Sequence, residues 1–157
     1  MDKFQLNASG STRPTVAFVE SAASMEIDGV RVTMTIATPL RAKAGTLLHF
    51  ALFDAGTGMP VTDLQPYLGA LAHFVIISQD GEEFLHAHPL EKSGSATRHD
   101  EHSNHGANSH QHGAKAAGNS EVSAHTTFPR HGLYKVWAQF QRGGRVITAP
   151  FTIRVGE

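Results

Sequence analysis

The sequence predicts an all-β fold: an antiparallel immunoglobulin-like or cupredoxin-like β-sandwich of seven to eight strands carrying one long histidine-rich loop. Three observations lead there. Short apolar runs alternate with a period of two and are separated by Gly/Pro turns. No stretch shows a capped apolar pattern of helical period. One internal segment, 91–120, has no Val, Ile, Leu, Phe, Tyr or Trp at all. The cysteine pair of antibody domains is missing, so the expectation concerns architecture and not that family.

Residues 1–14 read as a flexible lead, with Asn7-Ala8-Ser9-Gly10-Ser11-Thr12 ahead of Pro14, and 15–157 as a single domain. Thr15 to Glu20 forms a short first strand. Gly29 to Thr38 alternates cleanly, with Val30, Val32, Met34 and Ile36 opposite Arg31, Thr33 and Thr35. Thr46 to Asp54 is apolar on both faces and so belongs inside a sheet. After the turn Ala55 to Pro60, Val61 to Tyr67 leads through Pro66 into a hairpin over Leu71 to Pro89. Val122 to Phe128 is the next strand. Leu133 to Gln141 and Arg145 to Val155 then flank Gly143-Gly144. Pairing Arg142 with Arg145 sets Phe140, Ala138, Val136 and Tyr134 opposite Ile147, Ala149, Phe151 and Ile153. A one-residue slip would destroy that continuous apolar face.

The hairpin at 71–89 turns on Asp80-Gly81, a two-residue type I′ signal. In that register Ile77 meets Phe84, Val75 meets His86 and His73 meets His88. Side chains alternate across a strand, so all three imidazoles share one face. Paired Cβ atoms lie about 5 Å apart, close enough for three rings to reach one ion at about 2.0–2.1 Å. A three-residue loop with a bulge at Gly81 would instead pair His73 with Ala87 and turn it away. His125 is a candidate fourth ligand if its strand lies beside the hairpin. His49 reads as an ordinary half-buried strand histidine and His131 as a turn residue. Met25, Met34 and Met59 are soft donors, but Met34 falls in an apolar alternation and the others read as loop residues. Trp137 sits on the more polar face of the last hairpin, beside Leu133 or at a sheet edge.

Segment 91–120, rich in Gly, Ser, Ala, Asn and His, reads as a disordered or metal-ordered insertion, because it cannot bury enough surface to offset its ordering entropy. It holds His99, His102, His105, His110 and His112 at spacings that suit several geometries and impose none. Imidazole donors without thiolate favour copper, then zinc; calcium and magnesium prefer oxygen.

The 157 residues suffice for a core without staples. A net charge of −1 gives no broad attraction to nucleic acid or anionic membrane. No window has the length of apolar sequence that spans a membrane, so no membrane insertion is expected. With no cysteine, disulfides and thiolate chemistry are excluded. Met1-Asp2-Lys3-Phe4 lacks a signal-peptide core, which fits a cytoplasmic chain or a mature form with a starting Met. There is no nucleophile elbow, zincin motif, phosphate loop or dinucleotide fingerprint, and Glu82 and Glu83 read as solvated turn residues. The expected protein is not an enzyme.

The elements Pro66-Tyr67-Leu68-Gly69-Ala70, His73, Leu85-His86-Ala87-His88-Pro89, Phe128-Pro129 and Gly132 to Phe140 resemble a family of bacterial secreted or periplasmic β-sandwich proteins. That family often accompanies heavy-metal, particularly copper, handling. The likeness covers roughly 60–90 and 120–155, and the histidine-rich loop is an addition peculiar to this chain. The resemblance implies export, and it implies that His73, His86 and His88 are motif residues. The expected function is extracytoplasmic copper or zinc binding for transport, buffering or resistance, with a protein partner in metal transport. The contrasting expectation is an immunoglobulin-like interaction module with structural histidines, and a third is a small metalloenzyme using the same ligands. Exposed sheet edges also allow a homodimer, with metal bridging chains through the loop.

Overall fold

The turns between strands set the frame. In the computed structural model, which describes residues 18–21, 23–36, 39–90 and 120–157, both Asp28-Gly29 and Gly143-Gly144 have two successive positive φ angles (51° and 75°, 55° and 75°). These are type I′ turns, whose twist matches the strands they join. The first links β1 (Ser24–Ile27) to β2 (Val30–Ile36), and the second links β8 (Gly132–Arg142) to β9 (Arg145–Val155). Between them come β3 (Gly45–Asp54), β4 (Leu64–Gln65), β5 (Ala72–Ser78), β6 (Phe84–Ala87) and β7 (Glu121–Thr127).

The nine strands form two antiparallel sheets, and no helix occurs among the described residues, so the expected β-sandwich is the fold. The four-stranded sheet has the order β1-β2-β3-β7, with β3 interior as its two apolar faces require. In the five-stranded sheet β8 is central: β9 pairs along one edge, β5 and β4 along the other, and β6 lies outside β5. The expected register of the last hairpin holds throughout, from Arg142 opposite Arg145 to Tyr134 opposite Ile153. All eight residues of its apolar face are buried. Phe50 of one sheet stacks on Phe74 of the other at 4.8 Å between centroids, with Phe140 and Phe151 around them. Aromatic burial of this kind is the main favourable term holding the sheets together.

Nine strands are one more than the upper end of the expected seven to eight. β1 is short, with Met25 and Ile27 half-buried and Ser24 and Glu26 exposed, and this weak pattern was expected to be loop. Of the expected first strand Thr15 to Glu20, residues 18–20 are not strand and the rest lie outside the described residues. Ser21 does reach the sheet, exchanging hydrogen bonds with the Thr152 backbone. The expected lead 1–14 and residues 91–119 of the insertion also lie outside the described residues. Ser120, assigned to the insertion, accepts a backbone bond from Leu52 at 2.8 Å and so belongs to the ordered approach to β7.

Two contacts fix the β5–β6 hairpin in place. Arg130, in the turn before β8, bonds Glu83 through Nε at 2.7 Å and Asp80 through Nη2 at 3.1 Å. The Tyr134 hydroxyl, four residues on, donates to the Arg130 carbonyl at 2.9 Å and holds that turn against the core. At its other end the hairpin crosses between sheets: Pro89 bridges to Ala124, and the Leu90 N–H donates to the Ser123 carbonyl at 2.7 Å.

Candidate metal centre

The β5–β6 ladder pairs Ile77 with Phe84 and Val75 with His86, which is the register that gathers the histidines. The turn that delivers it differs from expectation. Only Gly81 has positive φ, and Ser78 and Glu83 are joined by a backbone bond, so the loop holds four residues, not a two-residue type I′ turn. Asp80 accounts for the difference. Its carboxylate accepts from the Ser78 hydroxyl, the Glu82 N–H and Arg130, and these hold it down to about 2. An acceptor at that position closes a wider loop without the left-handed pair.

His73, His86 and His88 come together. One ligand nitrogen from each lies within 4.8 Å of the others, and ring centroids are 5.6, 5.0 and 4.8 Å apart. His73 belongs to the outer face of its sheet, yet it is only 6 % exposed. The cover is the turn Tyr67-Leu68-Gly69-Ala70, closed by reciprocal backbone bonds between Tyr67 and Ala70, with φ of 48° at Leu68 and 84° at Gly69. The Tyr67 ring stands edge-on to His73 at 5.7 Å. The Tyr67 carbonyl can only accept, so the 2.8 Å contact fixes the His73 proton on Nε2. Nδ1 is thereby left with a free lone pair. A backbone carbonyl orienting one nitrogen while the other ligates is the usual support of a metal-binding imidazole. In this structure the Pro66 to Ala70 motif is what covers His73 and supplies that carbonyl.

His86 and His88 are exposed and their Nε2 atoms stand 2.8 Å apart, a distance that requires one shared proton between them. Two nitrogens on one tetrahedral ion at about 2.0–2.1 Å are themselves about 3.3 Å apart. An ion replacing the shared proton therefore needs only small ring rotations. Partial desolvation by its surroundings first, then the neighbouring His88 and His73, lower the His86 pKa, which favours the neutral form that can ligate. The donor set suits copper or zinc: imidazole nitrogens, no thiolate and no carboxylate.

The other candidates are placed elsewhere. His49 bonds the Ser123 hydroxyl through Nδ1 at 2.8 Å, with Glu121 at 3.9 Å, as a half-buried strand histidine does. His131 is exposed in its turn. His125 stands on the outer face of β7 and is not in the three-histidine group. Met34 is core, Met25 packs against the core from β1 and Met59 is exposed. His99, His102, His105, His110 and His112 lie outside the described residues. Trp137 shares the outer face with the site: Val75 pairs with His86 on one side and Trp137 on the other, and the Lys135 ammonium lies 5.5 Å from the indole. A cleft of about 680 Å³, lined by His88, Leu90, Leu47, His49 and Leu71 among others, leaves the His88 side of the group approachable.

No curated protein matches the chain. Among solved structures it is similar to a DUF4426 family protein from Pseudomonas aeruginosa PAO1, at 8 % identity and a TM-score of 0.47, over 85 % of this chain and 96 % of that one. The model of a family described as a domain of unknown function, DUF8832, matches residues 25–157, nearly the whole of the sandwich, and the chain belongs to that family.

Proposed function

We propose that this chain binds copper or zinc through His73, His86 and His88 and serves metal transport, buffering or resistance outside the cytoplasm, without catalysis. The observation that carries this reading is the convergence of three imidazoles, one of them buried and oriented by a 2.8 Å contact from its Nε2 to the Tyr67 carbonyl. Imidazole nitrogen donors at this spacing match borderline divalent ions, and a backbone carbonyl on the other ring nitrogen is the usual support of such a ligand. The extracytoplasmic placement and the copper association rest on the resemblance of the Pro66 to Ala70 and Leu85 to Pro89 elements. His99, His102, His105, His110 and His112 would add capture capacity.

The test is copper and zinc calorimetry on the full chain and on a version with those five histidines replaced by serine. A one-to-one site that survives the replacement and disappears in His86→Ala or His88→Ala supports the reading. Loss of all binding with the five serines removes it and leaves an interaction module as the better account.

A further inference from the structure

His125 stands outside the three-histidine group, but the register places it next to that group. Pro89 bridges to Ala124 and the Leu90 N–H meets the Ser123 carbonyl, so each pair adds to the same total. One step further along, His88 faces His125. Directly opposed residues point to the same side, with Cβ atoms about 5 Å apart. Both histidines are exposed on the outer surface, whereas Ala124 between the β7 outer residues is buried. The His125 ring, however, leans away, over β3. A Cβ built on Gly45 would lie 2.7 Å from its Nε2, so the ring occupies the space that a glycine leaves empty. No hydrogen bond to a described residue holds it there.

We infer that His125 is the fourth ligand of the centre, parked over Gly45 and swung across β7 to the His88 side when an ion binds. The inference rests on the three-histidine reading. Movement between staggered χ1 wells is fast for an exposed side chain and turns the ring from one edge of β7 toward the other. Four neutral imidazoles then complete a coordination shell for Cu(II) or Zn(II) that three leave open. The donors come from both sheets, His73 and His86 from the five-stranded sheet and His125 from the four-stranded one, so the ion clips the sandwich at the crossing made by 88–90.

The experiment uses the full chain with the five histidines of 99–112 replaced by serine, and adds His125→Ala, Gly45→Ala and His86→Ala. Cu(II) is titrated by calorimetry, and coordinated imidazoles are counted by pulsed electron paramagnetic resonance. The expected result is four imidazoles in the parent and three in His125→Ala, with affinity lower by about tenfold or more. Gly45→Ala displaces the parked ring and is expected to bind at least as tightly as the parent. Equal affinity and an unchanged imidazole count in His125→Ala overturn the inference, as does weaker binding in Gly45→Ala. If the parent binds no ion, or His86→Ala binds as the parent does, the three-histidine reading itself falls, and that outcome is distinct from the others.

Discussion

Metal added to the folded protein is expected to raise its unfolding temperature, and the shift separates the ordered site from any histidine that binds equally well in the unfolded chain. Only affinity confined to the native state stabilises it, by about 2.7 kcal/mol when free ion is at 100 times the Kd. For a domain of this size that corresponds to a rise of about 5–11 °C. His86→Ala removes an exposed ring, so the apoprotein is expected within about 0.5 kcal/mol of the parent while the metal-induced shift vanishes. His73→Ala also removes the shift, but it empties a buried position and deletes the bond to Tyr67, at a cost of about 2 kcal/mol in the apoprotein. The Tyr67 carbonyl still accepts from the Ala70 N–H at 3.1 Å, which keeps that cost moderate. Calorimetric scans with and without Zn(II) at pH 7.5 provide the measurement. A shift that persists in both variants refutes the site, and so does calorimetric binding in the parent that produces no shift.

Three further outcomes are expected. The His86 pKa lies below its unfolded value of about 6.5, so its contribution to stability is present above that pH and is lost as pH falls through the depressed value. Urea unfolding at pH 7.5 and pH 5 should show the parent losing more than His86→Ala, and equal losses would contradict the cause given. Asp80 should titrate near 2 by carboxyl NMR, its stabilisation present above 3.8 and lost as pH falls through about 2, and Arg130→Met should move it upward. Leu68 is exposed at φ 48°, so Leu68→Gly should stabilise the fold by about 0.5–1 kcal/mol in chemical denaturation; a loss would show that the leucine side chain itself holds the turn.

The register of β8 and β9 was legible because two signals agreed: a glycine pair able to take left-handed φ twice, and a facing pattern that one slip would scramble. The β5–β6 register was legible for the second reason alone. Phe74, Ile76 and Ala87 face inward and fix the pairing whatever the turn does, so the wrong turn type at Asp80-Gly81 left the histidines where they were expected. The Asp28-Gly29 pair carried the same turn signal and is a true type I′ hairpin. The strand before it leaves little trace in the sequence, because Ser24 to Ile27 carries only two apolar residues, Met25 and Ile27. The burial of His73 was not legible, since it depends on a turn folded back over the outer face of a sheet. Nor was the direction of the His125 ring, which depends on Gly45 lying across the neighbouring strand.

The row His86, Val75, Trp137 has an optical consequence. Two strand spacings, about 9–10 Å, separate His86 from the only tryptophan in the chain. Copper(II) at the site absorbs visible light and is paramagnetic, and at that range it quenches indole emission, whereas closed-shell zinc does neither. An ion held elsewhere on the chain, beyond that radius, leaves the emission bright. Quenching of the protein's own fluorescence would thus mark copper(II) held within reach of this row of the sheet, while bright emission would follow from zinc or from copper held farther away.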